Sequence, residues 1–135
     1  MPFTRKQQIK FRHCDPAGIV FYPRYFEMIN DTVEVWFDES LGHSFADIHP
    51  QNGVPTGQIQ TRFTAPSRLG DELTITLEVQ KVGTASLTLN LTAKSGNEPR
   101  FSAQATLIYV DSQGKSEPWP DALRKRIHRE METTQ

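Results

Sequence analysis

The chain has 135 residues, with 15 Lys plus Arg against 16 Asp plus Glu and a formal net charge of -1. That length supports one domain with its own core, and the even charge balance excludes the basic excess on which nucleic-acid binding rests. No apolar run nears the roughly 20 residues that a bilayer crossing needs, Met1 to Lys10 lacks the apolar centre of a signal peptide, and the single cysteine, Cys14, excludes an internal disulfide framework. The expectation is a cytoplasmic protein without nucleic-acid or membrane partners.

Thr4 to Phe11 reads as a first strand. Arg12 to Tyr22 is dense in special residues: His13, Cys14, Asp15, Pro16 and Gly18. Asp15 precedes a proline and is thereby turned away from helix, and Gly18 permits a positive φ. Pro23 suits a first helical position. From Pro23 to about Leu41, Phe26, Ile29, Val33, Trp36 or Phe37, and Leu41 recur at helical spacing, with Glu27, Asp31, Glu34 and Asp38 on another stripe and Gly42 as the stop. His43 to Gly57 reads as loop. The period then becomes two, in four stretches: Ile59 to Ala65, Leu73 to Val79, Leu87 to Ala93 and Phe101 to Tyr109. Short turns at Pro66 to Asp71, Gly83 and Gly96 to Pro99 join them, as in an antiparallel sheet with one buried face per strand. Pro120 to Thr133 reads as a short, exposed basic helix. The fold class is therefore α+β, with five strands curled round one long helix, because nothing else can cover either apolar surface. Sheet edges remain, and pairing them between subunits is a route to a dimer.

The segment before the long helix holds the chemistry. Asp15 sits in a glycine-containing turn next to a helix N-terminus, whose unpaired N–H groups and partial positive charge can polarise a carbonyl and stabilise an oxyanion. Eight of the 13 aromatic residues lie between Phe11 and Phe45, enough for an apolar pocket beside the acid. Asp15 also fits a plain turn former or helix cap. His13 lies two residues away and either orients Asp15 on a shared face or is structural. Cys14 and His13 are adjacent and point apart on extended chain, which does not make a nucleophile pair. The histidines, His13, His43, His49 and His128, show no metal-ligand spacing.

The string Phe11-Arg12-His13-Cys14-Asp15-Pro16-Ala17-Gly18-Ile19-Val20-Phe21-Tyr22-Pro23-Arg24-Tyr25 resembles the signature of the 4-hydroxybenzoyl-CoA thioesterase family, and Ala65-Pro66-Ser67-Arg68-Leu69-Gly70-Asp71-Glu72-Leu73 is similar to its second strand junction. The resemblance implies one hotdog thioesterase domain over 1–135, a five-stranded antiparallel sheet wrapped around the central helix. It implies hydrolysis of a small acyl- or aryl-CoA, with Asp15 as nucleophile or general base and the Tyr22 N–H on the thioester carbonyl. Gly18 would let backbone approach the substrate, and Phe21, Tyr25 and Phe26 either line its pocket or belong to the core. Asn30 stands where hydroxybenzoyl members carry an Asp on the substrate hydroxyl. Their basic run for the coenzyme phosphates is reduced here to Lys81, leaving Arg62, Arg68, Lys94 and Arg100 as further candidates. The family needs no metal or cofactor, its CoA thioester being the substrate, and forms its sites between subunits of a dimer or tetramer. Two other readings keep the scaffold: hydrolysis of acyl groups on acyl carrier protein, and a non-catalytic acyl-CoA-binding module.

Overall fold

A computed structural model describes residues 2–49 and 51–133. Its elements are β1 (Phe3–Gln8), a 3₁₀ turn (Phe11–His13), α1 (Pro23–Glu39), α2 (Phe45–Ile48), β2 (Thr56–Phe63), β3 (Glu72–Val82), β4 (Ser86–Ser95), β5 (Glu98–Ile108) and α3 (Asp121–Thr133). The strands form one antiparallel sheet in the order β1-β3-β4-β5-β2. This is the α+β hotdog arrangement, sheet around helix. No helix among the described residues is long and apolar enough to cross a membrane.

The core follows from two periodicities. On β3, β4 and β5, alternate residues Leu73, Ile75, Leu77, Leu87, Leu89, Leu91, Phe101 and Ala105 are buried. The helix α1 lays Met28, Ile29, Val33, Trp36 and Phe37 on that face. Pro23 opens the helix and Gly42, at φ +70°, closes it, with the His43 N–H donating to Phe37 O. One polar group is buried on the stripe. Thr32 donates to Met28 O and accepts from Arg5 Nε of β1, which fixes the helix to the sheet edge.

Several expectations change. The first strand ends at Gln8, because Ile9 is buried and exchanges bonds with the turn before β3, and Phe11–His13 curls into a 3₁₀ turn. α2 lies inside the expected loop, capped by Ser44, and is too short to show a period. The strand β2 alternates without being buried: Ile59 is 37% and Phe63 43% exposed. It is the sheet edge, and the Phe63 ring meets the rings of Tyr22, Tyr25 and Phe26 from α1 and its approach. The C-terminal helix is not simply exposed. Leu123 and Ile127 enter the core, and Arg124 and Arg126 donate to Gly83 O and Ser40 O. Trp119, before it, is buried beside Tyr109 and donates from Nε1 to Ser86 O.

Candidate active site

The segment from His13 to Phe21 is a tight hairpin. The Phe21 N–H donates to His13 O at 2.9 Å, Cys14 and Val20 bridge, and the Asp15 N–H donates to Ile19 O at 3.0 Å. At the tip, the Gly18 N–H donates to Asp15 O and the Ala17 N–H donates to Asp15 Oδ1, both at 2.9 Å. Gly18 sits at φ +81°, a conformation other residues adopt only at a cost. The proline and the glycine therefore build the turn, and the aspartate closes it with one oxygen. Its other oxygen, Oδ2, accepts no hydrogen bond among the described residues.

Asp15 borders an open cavity of about 450 Å³ with Phe11, Cys14, Pro16, Gly18 and Leu69. Its walls are mainly apolar; Phe11 and Leu69 remain 81% and 58% exposed. The hairpin's return strand runs directly into α1. Pro23 has no N–H, the Arg24 and Tyr25 N–H groups turn back to Phe21 O and Tyr22 O, and the Tyr22 N–H has no acceptor among the described residues. The arrangement thus offers a carboxylate oxygen and a backbone donor on one supersecondary unit, next to a helix N-terminus.

The other expected residues divide. Gly18 lines the cavity. Phe21 and Tyr22 are exposed and stack edge-on beside it in sequence. Tyr25 is buried between Phe63 and Phe101, so in this chain it is core and not pocket wall. Asn30 opens instead on a separate slot of about 60 Å³ between α1 and β2, beside Phe26, Ile29, Val33, Val54 and Ile59. His13 is buried in the 3₁₀ turn and its Nδ1 accepts the Lys10 N–H at 2.8 Å. The extended chain that would have put it beside Asp15 is absent, and no hydrogen bond joins the two. Burial first, then the charges of Arg12 and Arg24, holds its pKa below the ordinary value, so the ring is neutral with its proton on Nε2.

Lys81 lies at the far end of β3, about 30 Å along the strand from Glu72 at ~3.3 Å per residue, so the chain does not bring it to the cavity. Arg100 is buried, with its Nη1 donating to Pro66, Ser67 and Asp71 and its Nε beside Glu98, which removes it as a free phosphate ligand. Arg62 borders the polar outer face of the sheet with Gln60 and Glu78, and Lys94 lies near the β4–β5 turn. Of these candidates, Arg68 alone is the chain neighbour of a residue lining the Asp15 cavity, Leu69. Phe11 belongs to the aromatic group expected beside the acid, whereas sequence reasoning missed the wall Leu69. An apolar residue inside the Arg68-Leu69-Gly70 turn, where solvent exposure is the rule, was the available signal. Among the described residues, no group of three or more His, Cys, Asp or Glu gathers as for a metal ion.

A family model described as the Thioesterase-like superfamily matches residues 9–127. The chain belongs to that superfamily. A 1,4-dihydroxy-2-naphthoyl-CoA hydrolase of Prochlorococcus marinus is 28% identical over 102 residues, 69% of this chain and 65% of the relative, so the match spans under two thirds of that protein. A 1,4-dihydroxy-2-naphthoyl-CoA thioesterase from Synechocystis superposes with a TM-score of 0.86 at 20% identity, over 95% of this chain and 96% of the other. A Staphylococcus aureus protein solved in complex with CoA gives 0.90 at 19% identity, over 98% and 85%. At these identities the structural likenesses establish the hotdog fold.

Proposed function

We propose that this chain is a cytoplasmic acyl-CoA thioesterase, releasing a small, preferably aromatic, acid and free CoA. The observation that carries the reading is Asp15, held by one oxygen in the turn and bordering an apolar cavity with the other unengaged. As nucleophile, that oxygen attacks the thioester carbon. The C–S bond breaks with departure of the CoA thiolate, and water cleaves the resulting anhydride. As general base, it takes a proton from the water that attacks the same carbon. In both routes the charge on the carbonyl oxygen falls to the Tyr22 N–H and the α1 N-terminus. No metal or further cofactor is required by either.

Three things support this. The Asp15 to Tyr25 string follows the 4-hydroxybenzoyl-CoA thioesterase pattern, the superfamily match spans 119 residues from 9 to 127, and relatives are named as aryl-CoA hydrolases. Asn30 in its slot is the candidate for a substrate hydroxyl, through its side-chain amide. The active form is a homodimer or a homotetramer, joined at the unpaired edge β2, where Ile59 and Phe63 await cover. The phosphates of CoA fall to cations outside this cavity, Lys81 of another subunit among them.

Thiol release decides the matter. The purified protein is offered short, medium and long acyl-CoAs with benzoyl-, hydroxybenzoyl- and phenylacetyl-CoA, and Asp15→Asn serves as control. Turnover on the aromatic set, lost in the variant, is the expected result. Silence on every CoA ester, with hydrolysis of the same acyl groups on acyl carrier protein, transfers the reading to that carrier.

A further inference from the structure

Arg100, on β5, makes more polar contacts than any other cation among the described residues and takes no part in the chemistry above. It is 9% exposed. Its Nη1 donates to Asp71 Oδ2 at 2.8 Å, Ser67 Oγ at 3.1 Å and Pro66 O at 3.2 Å. Its Nε lies 2.8 Å from Glu98 Oε1, off the N–H line, an ion pair without a good hydrogen bond. Three of these four acceptors belong to the turn 66–71. Asp71 is held from a second side by the Arg68 N–H at 3.0 Å. Arg100 and the Arg68 N–H together hold the Asp71 carboxyl below its usual range.

That turn grips the Asp15 segment at both ends. Before the hairpin, the Ile9 N–H donates to Asp71 O at 2.8 Å and the Gly70 N–H donates to Ile9 O at 2.9 Å. After it, the Val20 N–H donates to Ser67 O at 2.9 Å, and Ile19 bridges Arg68. Between Ile9 and Val20 the chain leaves the sheet, turns at Asp15 and returns. The same turn sends Leu69 to the cavity wall opposite Phe11. The loop carrying Asp15 is therefore clamped at its two feet by one bracket, and the bracket hangs on one buried guanidinium.

We propose that Arg100, acting through the Ser67–Asp71 turn, is a positioning residue for the Asp15 site. It touches no reacting atom. It fixes where the unengaged Asp15 oxygen stands relative to the helix N-terminus, and misplacement of a catalytic group by about 1 Å is enough to lower turnover by ~10²-fold. Arginine suits the place because its Nη1 serves the turn while its Nε side faces the Glu98 carboxylate, two points that one guanidinium spans. The kinetic arm rests on the thioesterase reading; the structural arm does not.

The test uses Arg100→Met, Arg100→Lys and Asp71→Asn in the full chain. Wild-type kcat and KM are set beside amide hydrogen exchange at Ala17, whose N–H holds Asp15 Oδ1, with Gln113 as a control in a distant turn. For Asp71→Asn, kcat should fall about tenfold with KM within twofold, and Ala17 exchange should quicken about tenfold with Gln113 unchanged. Arg100→Met should lose about 100-fold in kcat and Arg100→Lys recover part of it. Should Arg100→Met not fold, Asp71→Asn carries the decision. A variant of lowered melting temperature with wild-type kcat and wild-type Ala17 exchange overturns the proposal. If the wild type hydrolyses no thioester, the functional reading fails, and the exchange contrast alone still upholds or overturns the positioning role.

Discussion

Two turns in this protein are built almost identically. In Asp15-Pro16-Ala17-Gly18-Ile19, the first N–H donates to the fifth carbonyl, the fourth N–H to the first carbonyl, and the third N–H to the first side chain. Asp111-Ser112-Gln113-Gly114-Lys115 repeats all three bonds, and its glycine sits at φ +82° against +81°. The difference is in the carboxylates and what lies beside them. Asp111 Oδ1 accepts a second N–H, from Lys115, and the turn merely ends β5 and its extension. Asp15 accepts one, borders an apolar cavity and leads into α1. An aspartate in such a turn is thus a turn former in both places and a candidate acid in one. The turn supplies rigidity, and the surroundings supply the chemistry.

The largest contrast should come from Asp15→Asn against Asp111→Asn. An asparagine keeps the acceptor oxygen, so both variants should fold. Thiol-release turnover should fall by at least ~10²-fold in the first, the scale of a lost acid–base group, and stay within twofold in the second. Equal turnover in both would erase the distinction. Next come Gly18→Ala and Gly114→Ala. A Cβ at either meets nothing within 4 Å, so the penalty is the backbone's alone, about 1–2 kcal/mol in each by urea unfolding. Only Gly18→Ala should also lower kcat, because it relaxes the turn that aims Asp15.

The smallest effect is with pH. His13 closes the foot of the first turn, and burial keeps its folded pKa below the unfolded 6.5. The unfolded chain then binds more protons, so its contribution to stability is lost as pH falls below about 6.5. Melting between pH 7.5 and 5.5 should therefore show a loss that His13→Asn, which keeps an acceptor for the Lys10 N–H, reduces. Amide protection, taken relative to the intrinsic exchange rate at each pH, should fall at Ala17 and not at Gln113 as pH drops over the same range.

Much of this was legible in the sequence, and the failures share a cause. The strands β3 to β5 show their period because helix covers one face and solvent the other. The strand β2 shows the same period with its apolar face only partly covered by α1, since alternation records which side chains are apolar and not what lies over them. The turn at Asp15 is readable from four consecutive residues. The bracket is not: Arg100 reaches Ser67 and Asp71 across 33 and 29 positions, and an arginine among β5 residues looks like any solvated cation. Likewise, Tyr25 belongs to the helix stripe that packs on Phe101, a partner far away in sequence, so its aromatic ring spoke for core as loudly as for pocket. His13 depended on an extended backbone that the 3₁₀ turn replaces.

Both tryptophans are buried, Trp36 in the middle of the helix–sheet core and Trp119 against Tyr109, and neither borders the Asp15 cavity. Indole emission from this protein accordingly reports the integrity of the fold and is blind to the site. A variant whose emission keeps its native colour while thiol release disappears has lost its chemistry alone, and the optical signal separates the two without a label.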